Sequence, residues 1–400
     1  MISFEEARAR LLSDVPVLAP ERIPLRDAAG RVLAEDVRAT APIPPFDASA
    51  MDGYAVALAS FEGDGPWTLP VVGESRTGAL PPLLVPGTTC RIFTGAPLPQ
   101  GADAVVMQEH VAREEDAATF RSRPRLREHI RSAGEDLTEG AVGLPRGTRL
   151  GAPQLALAAM LDRSELQVTR RPRVTILVTG DELRTPGSAP TAASIPESNS
   201  AGLAALAAQV GASVSVAPLC PDEPGATATA ITAALRGSDL LLTVGGVSVG
   251  DHDVVRPALE SAGVTLDFWK VAIKPGKPIA VGRSAHGYVL GLPGNPVSAL
   301  VTFALFGAPL LRALQGDARP LPTTGRLPLG TPLQRQPGRL EFVRAAVEPR
   351  EGGPCLIPLQ NQASGAMISL ARCDALGILP AEVTSFAAGD LVATLRLGDL

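Results

Sequence analysis

Three lysines, Lys270, Lys274 and Lys277, stand together in the stretch WKVAIKPGKP of a 400-residue chain whose other 33 basic residues are all arginine. A bias toward arginine that is suspended in one place marks a position where a compact ammonium does something a planar guanidinium cannot. Read as a strand, the segment puts Lys270 and Lys274 on one face with Ala272 between them, and turns Trp269, Val271 and Ile273 toward the core. Two ammonium groups on one face repel, so an oxyanion or carboxylates are expected between them. Lys277 follows in a Pro-Gly turn whose N–H groups can add to an oxyanion pocket. A solvated edge strand is the bland alternative, and the lysine census weighs against it.

The stretch GGVSVGDHD (245–253) places Gly245, Gly246 and Gly250 around Ser248, a pattern that lets backbone N–H groups approach an anion. It lacks the spacings of a P-loop or a dinucleotide fingerprint. Asp251 and Asp253 follow at once, where a carboxylate repels phosphate unless a cation intervenes. Mg²⁺ suits one or two carboxylates plus phosphate oxygens, and Asp181 and Glu182 in TGDEL, with Asp222, can supply more. The alternative is carboxylates that complement a helix dipole, which fits Asp251 better than the set. LPGNPVSA reads as a strand end and a helix start, with Asn295 as N-cap and Pro296 at the first helical position after Pro293. That start is equally a plain cap or an anion site.

These motifs need positioning elements, and residues 171–318 supply a pattern for them. VTILVT, SVSVAPL, DLLLTVG and YVLGL are continuous apolar runs, as strands buried on both faces should be. They alternate with helical stretches, which implies a central, doubly wound, mostly parallel α/β domain. Each motif then falls at the carboxyl end of a strand, where open α/β sheets bind ligands. Residues 45–135 read as a β-rich module inserted into a domain built from 1–44 and 136–170. Residues 319–400 read as a small β-barrel-like C-terminal domain. Ser3 and Glu6 form a capping box for a helix over residues 4–12.

Composition narrows the function. The formal net charge of -5 and the absence of aromatics within the arginine-rich stretch 121–131 argue against nucleic acid. The run from Val297 to Leu311 contains Pro309 and falls short of the roughly 20 residues a membrane span needs. MISFEEARARLL carries carboxylates where a signal peptide is cationic and then apolar, and four scattered cysteines suggest reduced thiols, so a cytoplasmic protein is expected. The four histidines have no ligand spacing.

SAMDGYA, RIFTGAPLP, RSAGEDL, TGDEL, GGVSVGDHD, WKVAIKPGKP and LPGNPVSA occur in one order along the chain. With them the sequence resembles, over essentially its whole length, the molybdopterin molybdenumtransferase (MoeA) family, which includes the E domain of gephyrin. The resemblance implies a four-domain, elongated homodimer with an active site shared between subunits, the 1–44 and 136–170 domain serving as linker and dimerisation element. It carries functional roles to Asp52, Thr94, Arg131, Asp136, Glu182, Asp222, Asp253, Lys270, Lys274, Pro293 and Pro296. RLEFVRA and QASGAMISL add Arg344 and Ser364, although Ala363 stands where the family has glycine and Glu197 where aspartate is commoner.

The reaction implied is Mg²⁺-dependent insertion of molybdate into adenylated molybdopterin with release of AMP. Asp253, with Glu182 or Asp222, would hold Mg²⁺, and the pyrophosphate would lie on Gly245, Gly246, Ser248 and Gly250. Lys274, Lys277, Arg344 and Ser364, with Ser298 a weaker candidate, would bind molybdate, while Lys270 and Asp52 orient the reacting groups. A molybdopterin adenylyltransferase is a conceivable partner. The alternatives are an adenylyltransferase, which needs only the central domain, and a non-catalytic gephyrin-like scaffold.

Overall fold

A computed structural model describes residues 1–246 and 254–396, with the side chain of Trp269 outside the described set. The chain forms two compact units, and the stretch 1–44 with 136–170 contributes to both.

One unit comprises Asp36–Pro145 and Pro153–Ser164. Its six-stranded sheet runs in the order Ala104–Met107, Gly53–Val56, Thr89–Ile92, Trp67–Ser75, Ala117–Phe120, Val111–Glu114. Tyr54, Phe61 and Phe120 fill one side of it, with edge-to-face ring contacts at 5.5 and 6.2 Å. Such T-shaped packing suits aromatic quadrupoles.

The other unit comprises Met1–Glu35, Arg146–Ala152 and Glu165–Leu400. Its central sheet has the order Ser213–Val216, Arg173–Val178, Leu240–Val244, Tyr288–Leu292, Pro278–Arg283, Thr265–Lys270. The first four strands are parallel, Pro278–Arg283 runs antiparallel to them and Thr265–Lys270 antiparallel to Pro278–Arg283 in turn, so the sheet is mixed. Alternate residues enter different cores. Ile176, Val178, Leu240, Leu242 and Leu290 pack beneath the helices Asn199–Gln209 and Pro296–Thr302. Leu177, Leu241 and Val289 pack with the helices Pro224–Leu235 and Val255–Ser261. Burial on both faces explains why these strands read as unbroken apolar runs.

From Arg173–Val178 the chain crosses to Ser213–Val216 on one side and then to Leu240–Val244 on the other. The strand order therefore reverses between Arg173–Val178 and Leu240–Val244, and a crevice opens at their carboxyl ends.

The helical stretch Pro296–Leu314 is 19 residues long, and its most apolar 18-residue window has mean hydropathy 1.8 and is 83% buried inside the protein, which makes it a core helix. It continues through Pro309. A π-helical turn over Phe303–Gly307 sits where the proline ring would otherwise strike the preceding turn. The first helix, Phe4–Leu12, begins at Ser3, whose hydroxyl accepts from Glu6 N–H at 3.0 Å. The capping box is half made, because the Glu6 carboxylate turns to Arg10 at 2.6 Å.

The last sheet runs Ile273–Lys274, Leu340–Glu348, Ala375–Leu379, Leu391–Arg396, Thr324–Pro328, with Cys355–Pro358 beside the second strand. Among the described residues it is an open, half-barrel path. Its first strand corrects the sequence reading of the lysine segment. The strand ending at Lys270 stops, Val271 and Ala272 turn, and Ile273–Lys274 joins the other sheet parallel to Leu340 and Glu341. Lys270 and Lys274 thus do not share one strand face. Val271 and Ile273 are fully buried as expected.

Candidate active site

Four strand exits meet in a cavity of about 490 Å³ lined by Gly180, Glu182, Asn199, Asp222, Gly245, Gly246 and Pro293 to Pro296. Backbone bonds lock the exits together: Thr179 N–H donates to Val244 O at 3.0 Å, Cys220 N–H to Val178 O at 3.0 Å, and Gly245 N–H to Leu292 O at 3.3 Å. Glycine is required at the floor. Gly245 and Gly246 have φ of +92° and +61°, and a Cβ there would lie 2.6 Å from Thr179 O and 2.2 Å from Val255 Cγ2. Ser248, Gly250 and Asp253 lie outside the described residues.

One wall is acidic. Asp222 N–H donates to Asp181 Oδ1 at 3.1 Å. Desolvation, reinforced by the charges of Asp181 and Glu182, pushes the Asp222 carboxyl above the ordinary carboxylate range. Among the described residues Glu182 and Asp222 have no ion-pair partner, and no set of three or more His, Cys, Asp or Glu side chains is placed to hold a metal. Hard oxygen donors with unbalanced charge fit Mg²⁺ completed by ligand oxygens.

The opposite wall is the start of the helix Pro296–Thr302. Asn295 occupies the N-cap position and Pro296 the first helical position, but the Asn295 side chain makes no capping bond. Val297 N–H instead donates to Ser364 O at 3.2 Å, which brings the terminal-domain loop to the helix start. Asn199, from SNS, donates through Nδ2 to Gly294 O at 2.9 Å. Glu197 also has a structural task, accepting from Ser200 N–H at 2.9 Å.

Some expected oxyanion ligands are placed differently. Arg344 is fully buried: Nε donates to Ser369 Oγ at 2.7 Å and Nη2 to the carbonyls of Asn361 and Ala363 at 2.9 and 3.0 Å. It therefore braces the loop that carries Ser364 and does not face solvent. Ser298 is likewise buried inside its helix, so its hydroxyl is not an open ligand. Lys277 is exposed, Lys270 is half-buried at its strand end, and Lys274 is 47% exposed and paired with Glu341 Oε1 at 2.7 Å. Glu341 was missed from sequence. Its one signal is a carboxylate set between Leu340 and Phe342 in an apolar strand.

In the β-rich unit, Asp52 Oδ1 accepts from both the N–H and hydroxyl of Thr94, at 2.8 and 2.9 Å. Those bonds, backbone first, hold its carboxyl below the ordinary range. Arg131 pairs with Asp136 at 2.8 Å. Of the four residues of this unit to which the resemblance gave roles, Asp52 is thus bonded to Thr94 and Arg131 to Asp136.

These features define a multidomain α/β enzyme whose central sheet presents a glycine-floored, carboxylate-walled cavity at its switch point. Sequence profiles described as MoeA N-terminal region (domain I and II), probable molybdopterin binding domain and MoeA C-terminal region (domain IV) match residues 2–161, 175–313 and 326–397. The chain is 37% identical to the molybdopterin molybdenumtransferase of Haemophilus influenzae over 399 residues, covering 98% of each. It is 38% identical to that of Synechococcus elongatus, covering 99% of this chain and 100% of the relative. The crystal structure of the molybdopterin biosynthesis MoeA protein of Pyrococcus horikoshii OT3 superposes with a TM-score of 0.85 at 28% identity, covering 99% and 100%. The chain belongs to the MoeA family of molybdopterin molybdenumtransferases and is a transferase.

Proposed function

We propose that this enzyme inserts molybdate into adenylated molybdopterin in molybdenum cofactor biosynthesis, breaking the phosphoanhydride bond to AMP and releasing AMP. The observation that carries this reading is the meeting of the Gly245–Gly246 floor with unpaired carboxylates in one cavity. With the Gly245 N–H engaged by Leu292 O, the floor offers the Gly246 N–H to a pyrophosphate. Mg²⁺, held by Glu182 or Asp222 with Asp253, would neutralise charge on the departing nucleotide. Lys274, Lys277 and Ser364 receive molybdate, with Arg344 keeping the Ser364 loop in place. Lys270 and Asp52 orient the substrate. From the resemblance to the MoeA family we further read the enzyme as a cytoplasmic homodimer in which Asp52 and Thr94 serve the site of the neighbouring subunit. An adenylyltransferase that makes the adenylated pterin is the natural upstream partner.

The test is steady-state AMP release from purified protein given adenylated molybdopterin, Mg²⁺ and molybdate. AMP release that depends on molybdate supports the reading. Consumption of ATP with pyrophosphate release points instead to adenylyl transfer, and no turnover with either substrate points to a scaffold.

A further inference from the structure

The ammonium of Lys274 is tied to a carboxylate that is itself immobilised. Glu341 is buried, and its side chain bridges two cations, Lys274 through Oε1 at 2.7 Å and Arg335 Nε through Oε2 at 2.9 Å. The Arg335 side chain is buried too, only 5% exposed. Its Nη1 donates to the carbonyls of Pro380, Leu379 and Val383, and its Nη2 to that of Arg339. A guanidinium gripped by four carbonyls cannot swing, so Oε2 of Glu341 is fixed and Oε1 is aimed. The backbone adds a second constraint, because Lys274 and Glu341 are register partners in parallel strands. A flexible lysine on a half-exposed strand end would otherwise sample many rotamers.

We propose that Glu341 is a positioning residue for the oxyanion site: held by Arg335, it fixes the Lys274 ammonium with one N–H engaged and two left for molybdate. An ammonium has three donors, so one internal acceptor does not exhaust it. The arrangement also answers the question raised by the lysine census. A guanidinium at 274 could spread over both Glu341 oxygens and compete with Arg335, whereas an ammonium takes a single oxygen. The inference rests on the reading that Lys274 binds molybdate. The alternative is a purely structural carboxylate that holds Arg335, with the Lys274 contact incidental.

Two measurements separate these. With only three lysines in the chain, an amine-reactive reagent and mass spectrometry report each one by name. Replacing Glu341 by Gln should raise the labelling rate of Lys274 relative to Lys277 by about threefold or more, since a freed side chain gains mobility. Glu341→Asp, which keeps a charge beside Arg335 but is too short to span both cations, should do the same and covers the case in which Glu341→Gln does not fold. The second measurement is a double-mutant cycle on AMP release against molybdate. Glu341→Gln or Glu341→Asp alone should lower kcat/KM for molybdate about tenfold, mainly through KM, and by less than about twofold in a Lys274→Ala background. Equal losses in both backgrounds, or a Lys274 labelling rate unchanged in a folded variant, overturn the proposal. If the parent releases no AMP, the functional reading fails while the labelling still decides whether Glu341 positions Lys274.

Discussion

Both donors of Thr94, its backbone N–H at 2.8 Å and its hydroxyl at 2.9 Å, converge on one oxygen of Asp52. The bonds favour the anion and hold this carboxyl below its usual range. Thr94→Val removes the hydroxyl and keeps the backbone bond, so the Asp52 carboxyl should move part of the way back up. Ionisation at pH 7 is unaffected, and the acid limb of the pH–rate profile should shift to higher pH. A carboxyl titration followed by NMR, beside the pH–rate profile, checks this. An unmoved acid limb would separate Asp52 from the reaction.

The Asp52–Thr94 pair and the glycine-floored cavity lie in different compact units. If each site draws on two subunits, inactive Asp52→Ala and inactive Asp253→Ala proteins should regain activity when mixed, through heterodimers carrying one intact site. Mass spectrometry of the mixture establishes subunit exchange. Exchange without recovery of AMP release contradicts a composite site.

Much of the cavity was readable in the sequence because its chemistry is local: glycine, proline and carboxylate at the ends of four apolar runs point to one sheet edge. The lysine segment was not readable, because its pairing is not local. Lys274 finds its partner strand at Leu340 and Glu341, and nothing within WKVAIKPGKP signals that Val271 and Ala272 turn the chain from one sheet into another. Arg344 shows the same limit from the other side. A family position can be matched by residue type, but whether a guanidinium faces a ligand or braces the loop beneath it depends on carbonyls at Asn361 and Ala363.

The acidic wall makes a metal prediction. Desolvation and the charges of Asp181 and Glu182 push the Asp222 carboxyl up, so a divalent cation should lower its pKa and relieve the repulsion. Millimolar Mg²⁺ should raise the melting temperature of the parent and raise that of Asp222→Asn less. EDTA should stop AMP release and Mg²⁺ restore it. Asp253→Asn should fold, yet stall with adenylated pterin bound. Full turnover of that variant in EDTA removes Mg²⁺ from the mechanism.

Asp239, just before the strand Leu240–Val244, holds the base of the central sheet. Its carboxylate accepts from Arg170 at 2.7 and 2.8 Å and from Arg173 N–H at 2.8 Å. Burial alone would raise this carboxyl, but the arginine and backbone bonds outweigh it and bring it to about 2. A depressed folded-state pKa gives stability that is present above the unfolded value and is lost as pH falls toward the folded one. The shift corresponds to about 2 kcal/mol at pH 7. Asp239→Asn should lose roughly that much at pH 7 in urea melts, with the difference from the parent narrowing from about pH 4 downward. Parallel stability curves across that range contradict the assignment.

The last prediction concerns the three lysines, where an arginine-rich chain keeps ammonium groups. Arginine is longer, planar and unable to shed its charge, and at position 274 it would be drawn across both oxygens of Glu341, away from an incoming oxyanion. Lys274 is half-exposed, so its replacement disturbs little packing. Lys274→Arg should leave the melting temperature nearly unchanged and lower kcat/KM for molybdate at least about tenfold, a barrier change of about 1.4 kcal/mol. Lys270→Arg, at the half-buried end of its strand, should lower turnover to a similar degree. Lys277 is exposed in its turn and has no carboxylate among its ion-pair contacts in the described residues, so Lys277→Arg should act chiefly by raising the molybdate concentration for half-maximal rate. Steady-state AMP release against molybdate for the three variants, alongside melting curves, makes the comparison. Variants that match the parent would show that the lysine cluster is an accident of composition and that charge alone, in either form, serves the site.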